Sequence, residues 1–179
     1  MIRKHLLKLL RNQKEEDRIR KSRVIQKKLF ALPEFRRCRT VLFYASFDGE
    51  VETFEMMGQA KKLGKNVALP TIIKKQKKMV PILVEDVEED LKVGSYGIKE
   101  PVETLKSVAL SDIDLVIVPG VAFDKRHHRL GRGAGYYDRF LCQIPGDVPT
   151  IGLAFDFQLL DRLPPPQEHD IPVKHVVVN

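Results

Sequence analysis

A glycine-rich, basic stretch in the last third of the chain carries residue types suited to binding a phosphate. Three alternating glycines, Gly131, Gly133 and Gly135, are interleaved with Arg132 and preceded by Arg129. Glycines let the backbone approach an anion and turn its N–H groups toward it, while arginine forms paired, charge-assisted hydrogen bonds with phosphate. The spacing is neither the dinucleotide fingerprint nor the P-loop. A purely structural turn is therefore the alternative to an anion site.

The segments on either side of the glycines predict how they are held. Residues 115–118 form an apolar, mostly β-branched run, which is typical of a buried parallel strand, and Pro119-Gly120 ends it. Residues 136–141 predict the first turns of a helix. A strand, a glycine-rich turn and a helix N-terminus form a cradle for phosphate, because the helix dipole favours an anion there.

Asp138 lies in this predicted helix, directly after the glycines. Its carboxylate would repel a phosphate unless a cation lay between them. A divalent metal such as Mg²⁺, bridging carboxylate and phosphate oxygens, is the natural solution. The alternative is a first-turn acid that only complements the helix dipole.

Composition indicates a soluble globular protein. With 179 residues the chain is long enough for one full core, and we expect a single domain over residues 1–179. It has no apolar run as long as a membrane span and no signal-peptide pattern. Cys38 and Cys142 are too few and too far apart for a disulfide framework, so we expect reduced thiols, packed as small hydrophobes, in a cytoplasmic protein.

Charge is concentrated at the N-terminus. Residues 1–40 carry a net charge of +10, whereas the whole chain carries +7, so the other 139 residues carry about −3. Such a segment is suited to nucleic acid, to a membrane surface or to a polyanionic small ligand such as a nucleoside triphosphate. A solvated helix face is the plainer alternative.

Hydrophobic patterning predicts strands that alternate with helices. We expect strands at 40–46, 66–72, 79–84, 115–118, 149–155 and 173–178. We expect helices at 2–32, with a break near residues 12–13, at 53–63 with Thr53 as N-cap, and at 136–141, and a helical turn from residue 158. Residues 85–113 are expected to be irregular. This order predicts an α/β fold, a three-layer sandwich with a mainly parallel sheet, whose ligands lie beyond the C-terminal strand ends.

Two long blocks resemble the signature of the 5-formyltetrahydrofolate cyclo-ligase family. They are residues 119–124 and 129–141, with the sequences PGVAFD and RLGRGAGYYDRFL. Shorter blocks follow the family's order at residues 50–53, 97–101, 151–158 and 169–173. The resemblance therefore extends over nearly the whole chain.

The resemblance implies an α/β/α sandwich related to sugar-phosphate isomerases and CoA transferases. It also implies a ligase that uses ATP and Mg²⁺ to convert 5-formyltetrahydrofolate to 5,10-methenyltetrahydrofolate, releasing ADP and phosphate. ATP would phosphorylate the formyl oxygen, N10 of the folate would attack the activated carbon, and phosphate would leave. Phosphoryl transfer needs mainly positioning and charge neutralisation, which arginines, glycine N–H groups and a metal supply.

The same resemblance assigns roles to individual residues. The residues that would act in catalysis are Arg132 and Tyr136. Those that would bind ATP are Arg3, Arg129, Leu130, Gly131, Arg132, Gly133, Ala134, Gly135, Tyr136 and Tyr137. Those that would bind the folate are Ala45, Glu50, Arg132, Gly133, Ala134, Gly135 and Tyr136, with Glu50 on the pterin ring. Those that would bind Mg²⁺ are Asp138 and Asp170.

Four of these residues have plainer interpretations without the resemblance. Glu50 is then a first-turn helix acid, Asp170 is a turn residue before a proline, and Tyr136 and Tyr137 are core aromatics.

The chain also departs from the family's pattern. The family usually has a lysine shortly before the arginine that Arg3 matches; either the chain start is shortened, or Lys4 or Lys8 makes that contact. His127 stands where a glycine is usual, which would cost strain if the position needs a positive φ. Ala134 replaces a lysine or glycine.

Two other functions stay open on the sequence: a nucleic-acid-binding protein using the basic N-terminal helix, and an enzyme of the same fold that acts on sugar phosphates without ATP. We expect the cyclo-ligase, acting as a monomer on a small folate substrate that carries one or several glutamates. We expect no nucleic-acid or membrane partner.

Overall fold

A six-stranded sheet forms the centre of the computed structural model, which describes residues 2–94, 97–167 and 169–179. The helices of these residues are α1 (Ile2–Arg11), α2 (Glu15–Ala31), α3 (Pro33–Arg37), α4 (Phe54–Lys62) and α5 (Tyr136–Leu141). The strands are β1 (Thr40–Leu42), β2 (Asn66–Ile73), β3 (Lys78–Val84), β4 (Leu91–Val93), β5 (Lys99–Pro101), β6 (Leu115–Val118), β7 (Ala122–Asp124), β8 (Arg129–Leu130), β9 (Thr150–Ala154), β10 (Leu159–Leu160) and β11 (His175–Val178).

The strand order of the main sheet is β11-β9-β6-β1-β2-β3. All neighbouring pairs are parallel except β2 and β3, which form an antiparallel hairpin. The C-terminal ends of β1, β2, β6 and β9 therefore meet at one edge of the sheet. In open α/β sheets this edge is where ligands bind.

The apolar run of β6 explains why the sheet is covered on both faces. Leu115 and Ile117 pack into a core that includes residues of α1 to α4, while Val116 and Val118 pack into a second core with residues of α5. The expected three-layer α/β/α sandwich with a mainly parallel sheet is confirmed. Its second helical layer is thin, because α5 is a short helix supplemented by loops.

The N-terminal helical segment divides where the break was predicted. Helix α1 ends at Arg11 and α2 begins at Glu15. The side-chain amide of Gln13 stabilises the break by donating to the carbonyl oxygens of Leu10 and Gly49, at 3.2 and 3.1 Å.

Strand β1 ends at Leu42, earlier than the predicted residue 46, because Thr53 holds the segment that follows. Thr53 Oγ1 donates to the Tyr44 carbonyl at 2.6 Å and accepts from the Ser46 backbone N–H at 3.1 Å. Thr53 occupies the N-cap position of α4, as predicted, but its side chain makes no capping hydrogen bond there. The segment after β1 is thereby turned away from the sheet and over its edge.

Other expectations need correction. The segment 85–113 contains the antiparallel pair β4–β5, although Ser95 and Tyr96, between these strands, lie outside the described residues. The turn predicted from Gln158 is a 3₁₀ helix over Asp156–Gln158, followed by β10. Cys38 is buried, as expected, whereas Cys142 is exposed at the end of α5, so packing as a small hydrophobe was wrong for it. Of the helices within the described residues, none is long and apolar enough to cross a membrane.

We predict that Gly152→Ala destabilises the protein. A Cβ at Gly152 would lie 2.5 Å from Cε1 of the fully buried Phe123 ring, and Gly120 would meet the same ring from the other side at 2.6 Å. Since the ring has no space to move into, we expect a loss of about 1–3 kcal/mol in the free energy of unfolding, measured by denaturant titration. Gly58→Ala, in α4 with nothing within 4 Å, is the control and should be neutral or slightly stabilising. Equal stability of the two variants would contradict this packing.

Candidate active site

A cleft of about 1580 Å³ opens at the C-terminal ends of the parallel strands. Its walls come from α1, from the segments after β1 and β6, from the end of the β2–β3 hairpin, from the glycine-rich loop and from the segment before β11. The predicted site residues all line it: Arg3, Ala45, Glu50, Arg129, Leu130, Gly131, Arg132, Gly133, Ala134, Gly135, Tyr136, Tyr137, Asp138 and Asp170. Residues from both ends of the chain thus share one cavity.

The glycine-rich loop has the backbone that only glycine adopts easily. Gly133 has φ +110° and Gly135, which precedes α5, has φ +66°, whereas Gly131 has no positive φ. Arg3 of α1 reaches this loop, since its Nη1 lies 3.6 Å from the Cβ position of Gly133. The loop and the N-terminal helix therefore form one wall.

Asp124, buried at the end of β7, holds the start of the loop. Its carboxylate accepts hydrogen bonds from the backbone N–H groups of Arg126, His128 and Leu163, at 2.9, 3.0 and 3.2 Å, and lies 3.2 Å from His128 Nδ1. Burial alone would raise the pKa of Asp124, but these hydrogen bonds outweigh it and lower the pKa. An ionised carboxylate therefore fixes the turn that leads to Arg129.

His127, in that turn, has φ +64°. His127 thus has a left-handed backbone, and the strain expected if this position needs a positive φ is present. Its backbone N–H donates to the Asp124 carbonyl at 2.9 Å, which keeps the turn closed despite the side chain.

Glu50 lies at the base of the cleft with 7% of its surface exposed. Arg132 donates to its Oε1 from Nε and Nη2, at 3.2 and 3.1 Å, and the backbone N–H of Phe47 donates to Oε2 at 3.3 Å. Burial raises the pKa of Glu50 to about 7, although Arg132 and the Phe47 N–H favour the charged form. Glu50 is thus a carboxyl group that can take up or release a proton near neutral pH.

Arg132 is held on three sides. Besides Glu50 it contacts Asp48, to whose Oδ2 its Nη1 donates at 3.0 Å, and its guanidinium lies over the Phe47 ring at 4.0 Å from the centroid. A cation stacked on an aromatic face and bound by two carboxylates has a defined orientation. Arg132 therefore connects the glycine-rich loop to the predicted folate ligand Glu50.

Arg129 and Asp138, assigned to ATP and to Mg²⁺ respectively, form a buried ion pair. Arg129 Nη2 donates to Asp138 Oδ1 at 2.6 Å, and the side chains are 5% and 13% exposed. The cation expected beside Asp138 is therefore Arg129 in this structure. Tyr137 packs next to the pair, with the Arg129 guanidinium 5.8 Å from its ring centroid.

Two buried polar atoms at this pair, Arg129 Nε and the Tyr137 hydroxyl, have no hydrogen-bond partner among the residues that the structure describes. Burial, and to a lesser degree the charge of Glu50, raises the pKa of Tyr137, so its phenol stays protonated. The ring also packs against both cores, which agrees with the plainer interpretation of this tyrosine. Tyr136 also lines the cleft, with the guanidinium of Arg139 5.1 Å from its ring centroid.

Asp170 lies in the segment before β11, where its Oδ2 accepts the backbone N–H of Gln167 at 2.8 Å. It lines the same cleft as Asp138. Across residues 2–94, 97–167 and 169–179 no group of three or more His, Cys, Asp or Glu side chains could hold a metal. Any metal here would therefore need ligands from water and from a substrate as well.

Several residues important to this geometry were not predicted. Asp48, Arg11 and Asp124 organise the charged groups of the cleft. Gln158, in the segment after β9, holds the connection between β6 and β7 by donating to the carbonyls of Gly120 and Val121, at 2.9 and 3.2 Å. The Asp48-Gly49 dipeptide signalled only a turn. The partners of these side chains lie far away in sequence, so no local pattern reveals them.

Comparisons with known proteins agree with the sequence motifs. The model of the 5-formyltetrahydrofolate cyclo-ligase family matches residues 1–179. The 5-formyltetrahydrofolate cyclo-ligase of Haemophilus influenzae is 35% identical over 82% of this chain and 79% of its own length. That of Mus musculus is 32% identical over 98% and 91%. The NMR structure of Aquifex aeolicus 5,10-methenyltetrahydrofolate synthetase has a TM-score of 0.86 and 37% identity, over 99% of this chain and 87% of that one.

We predict that Glu50 makes stability fall as pH rises. Its folded pKa, about 7, is above the value of an unfolded glutamate, so folding favours the protonated form and loses stability between about pH 5 and pH 8. Glu50→Gln removes this loss. The difference between the free energies of unfolding of Glu50→Gln and of wild type should therefore increase by about 1–3 kcal/mol as the pH rises over that range. Denaturant titrations at both pH values measure it. The exposed Glu88→Gln is the control, and a constant difference between Glu50→Gln and wild type would exclude the shift.

Proposed function

Since the chain belongs to the 5-formyltetrahydrofolate cyclo-ligase family, we propose that its cleft holds ATP and the folate side by side, with Arg132 between them. The reaction is the ATP-dependent cyclisation of 5-formyltetrahydrofolate to 5,10-methenyltetrahydrofolate, with release of ADP and phosphate. The observation that carries the placement is the contact of Arg132, on the glycine-rich loop, with the buried Glu50. The nucleic-acid and sugar-phosphate alternatives gain no support from these relatives.

The triphosphate of ATP lies in this proposal against residues 129–137. The left-handed backbone at Gly133 and Gly135 lets the main chain approach closely, and Arg3 and Arg132 supply positive charge from two sides. Ala134 adds no charge of its own, so the loop binds phosphate through its backbone and the arginines. Tyr136 offers its partly exposed ring to either substrate.

The folate lies deeper, with its pterin ring on Glu50 and Ala45. A carboxylate accepts hydrogen bonds from neighbouring ring N–H groups, and burial strengthens them because water is excluded. When Glu50 binds the pterin, Arg132 shares its N–H groups between Glu50 and the phosphates. The formyl oxygen is thereby brought next to the γ-phosphate.

The chemistry then proceeds by charge neutralisation. The formyl oxygen attacks the γ-phosphorus and ADP leaves. N10 adds to the activated carbon and loses its proton, and the C–O bond breaks to release phosphate, which completes the methenyl bridge. Arg132 stabilises the negative charge on the transferring phosphoryl group, and such preorganised charges are often worth several kcal/mol. Tyr136 positions the reacting groups from the cleft wall.

Two of the carboxylates that line the cleft fit Mg²⁺, which uses one or two carboxylates together with water and phosphate oxygens. We assign it to Asp138 and Asp170, which line the same cavity. Bound there with ATP, the ion would neutralise phosphate charge. Asp138 would stay beside Arg129, so one carboxylate would serve both cations.

We further propose that residues 1–179 act as one domain, since residues from both ends of the chain line the same cleft. We also propose that the protein acts as a monomer. The substrate is a small folate, with one or several glutamates, in the cytoplasm. The basic surface of α1 and α2 needs no nucleic-acid or membrane partner in this proposal, because many of its cations pair with acids of the same chain, as Arg18 does with Glu52 at 3.1 Å.

We predict that Arg132→Ala lowers kcat by about a hundredfold, because the transferring phosphoryl group loses a positioned cation. The assay mixes protein, 5-formyltetrahydrofolate, ATP and Mg²⁺ and follows the near-ultraviolet absorbance of the methenyl product. Arg20→Ala, which removes an exposed arginine paired with Asp17 on α2, should retain wild-type rates. Folded wild-type protein that forms no product would refute the function, and an unaffected Arg132→Ala variant would refute the placement.

We predict that Asp170→Asn raises the Mg²⁺ concentration for half-maximal activity about tenfold, because one charged oxygen ligand is lost. A chelator should abolish wild-type activity. Asp138→Asn should act in the same direction, but it also breaks the pair with Arg129, so its thermal stability must be measured alongside. Asp147→Asn, at an exposed site, is the control. Overlapping Mg²⁺ titration curves for wild type and Asp170→Asn would contradict the assignment.

A further inference from the structure

Asp48 joins two arginines that come from distant parts of the chain. Arg11, at the end of α1, binds it through two hydrogen bonds, Nε to Oδ1 at 2.7 Å and Nη2 to Oδ2 at 2.9 Å. Arg132, in the glycine-rich loop, donates to the same Oδ2 at 3.0 Å. One carboxylate thus connects the N-terminal helix to the predicted catalytic arginine.

The backbone around Asp48 is fixed in a tight turn. Asp48 has φ +54° and Gly49 has φ +83°, and a left-handed residue other than glycine costs free energy that the surroundings must supply. A Cβ at Gly49 would lie 2.1 Å from the Leu10 carbonyl oxygen, so the turn packs directly on the end of α1. The Asp48 carboxylate therefore has little freedom to move away from Arg11.

Asp48 stays ionised at neutral pH. Its pKa is lowered chiefly by the hydrogen bond from Arg11 and further by Arg132, against a smaller opposing effect of burial. The side chain is 22% exposed, so its charge is only partly screened by water. Both arginines thus face a permanent negative charge.

This contact sets how Arg132 is presented. A guanidinium has five N–H bonds. Glu50 and Asp48 use three of those of Arg132, while its face lies on Phe47, so at most two remain for a phosphate. Without the Asp48 carboxylate, Nη1 of the Arg132 guanidinium loses the hydrogen bond that fixes its direction.

The same contact fixes α1. Arg3 and Arg11 stand eight residues apart, about 12 Å along one rigid helix. Arg11 is anchored on Asp48 at one end, and Arg3 approaches Gly133 at the other. Seating the end of the helix therefore also places Arg3 against the glycine-rich loop.

We propose that Asp48 is a positioning residue for ATP: it holds Arg132 in its working orientation and, through Arg11, keeps Arg3 at the nucleotide. Asp48 lines the same cleft, and in this proposal it acts through the two arginines and not through contact with a substrate. The inference rests on the proposed function, because it assumes that Arg132 and Arg3 bind phosphate groups.

The test measures steady-state kinetics of Asp48→Asn with each substrate varied in turn, together with ATP affinity by calorimetry in the absence of folate. We expect KM for ATP and the ATP dissociation constant to rise about tenfold, because two charge-assisted contacts are weakened, while KM for the folate changes by less than about threefold. Asp48→Glu, which keeps the charge, should recover part of the ATP affinity. The matched control is Asp17→Asn, which removes an exposed aspartate paired with Arg20 at 2.9 Å on α2.

A purely structural role predicts a different pattern: a lower melting temperature and equal changes for both substrates. Either that pattern or ATP binding equal to that of Asp17→Asn would overturn the proposal. Arg11→Met provides a second approach if Asp48→Asn does not fold. It removes only the contact that fixes α1, so it should raise the ATP dissociation constant by a smaller factor than Asp48→Asn, and an unchanged dissociation constant would exclude the role of Arg11. Where Asp48→Asn folds, the double variant should lose little more than Asp48→Asn alone, and full additivity would exclude coupling through Arg11. If Arg132→Ala were itself unaffected, the proposed placement of ATP would fail together with this inference, whereas folded wild-type protein that forms no product would refute the proposed function itself.

Discussion

The arrangement of the cleft depends on one ion pair between two loops, that of Glu50 and Arg132. A carboxylate that is 7% exposed loses much of its hydration, so its charge needs a partner inside the protein. Arg132 supplies it from a loop 82 residues further along the chain. Burial outweighs this partner and leaves the pKa of Glu50 at about 7. The charge of Glu50 near neutral pH therefore depends on where Arg132 lies, and a bound ligand that moves Arg132 also changes that charge. In our proposal, the regions that bind the folate and the nucleotide are therefore electrostatically linked before either substrate binds.

The rest of the fold keeps this pair in place. The segment after β1 leaves the sheet because Thr53 binds its backbone, and this brings Asp48 and Glu50 over the strand ends. Asp124 closes the turn before the glycine-rich loop, even though His127 must adopt a left-handed backbone there. The parallel sheet contributes the common edge at which both segments meet. Rigid elements therefore carry a site that is itself made of loops.

How much could be predicted from the sequence varied with the range of the interactions involved. The bounds of β6 and α5 followed from short-range signals, an apolar β-branched run and a glycine before an amphipathic turn, and the structure has the predicted limits. Strand β1 ends before the predicted residue 46, because the side chain of Thr53, eleven residues beyond Leu42, binds the backbone of Tyr44 and Ser46. The exposure of Cys142 depends on which side of α5 meets the core, which composition does not indicate.

The site residues came mainly from the family signature. Patterning alone suggested an anion site at the three glycines, but it gave no reason to select Asp170 or Ala45. The pairing of Arg129 with Asp138 was not predicted, because a separation of nine residues between a loop and a helix corresponds to no local pattern of ion pairs. The contacts of Asp48 join three separate segments, and only the folded chain reveals them.

The most direct test of this account is a crystal structure of the protein with 5-formyltetrahydrofolate and a non-hydrolysable ATP analogue. We expect the triphosphate along residues 129–137, with its terminal phosphate within hydrogen-bonding distance of the Arg132 guanidinium, and the pterin ring on the carboxylate of Glu50. A nucleotide bound outside the cleft, or a terminal phosphate out of reach of Arg132 while the folate occupies its site, would contradict the central role given to that arginine.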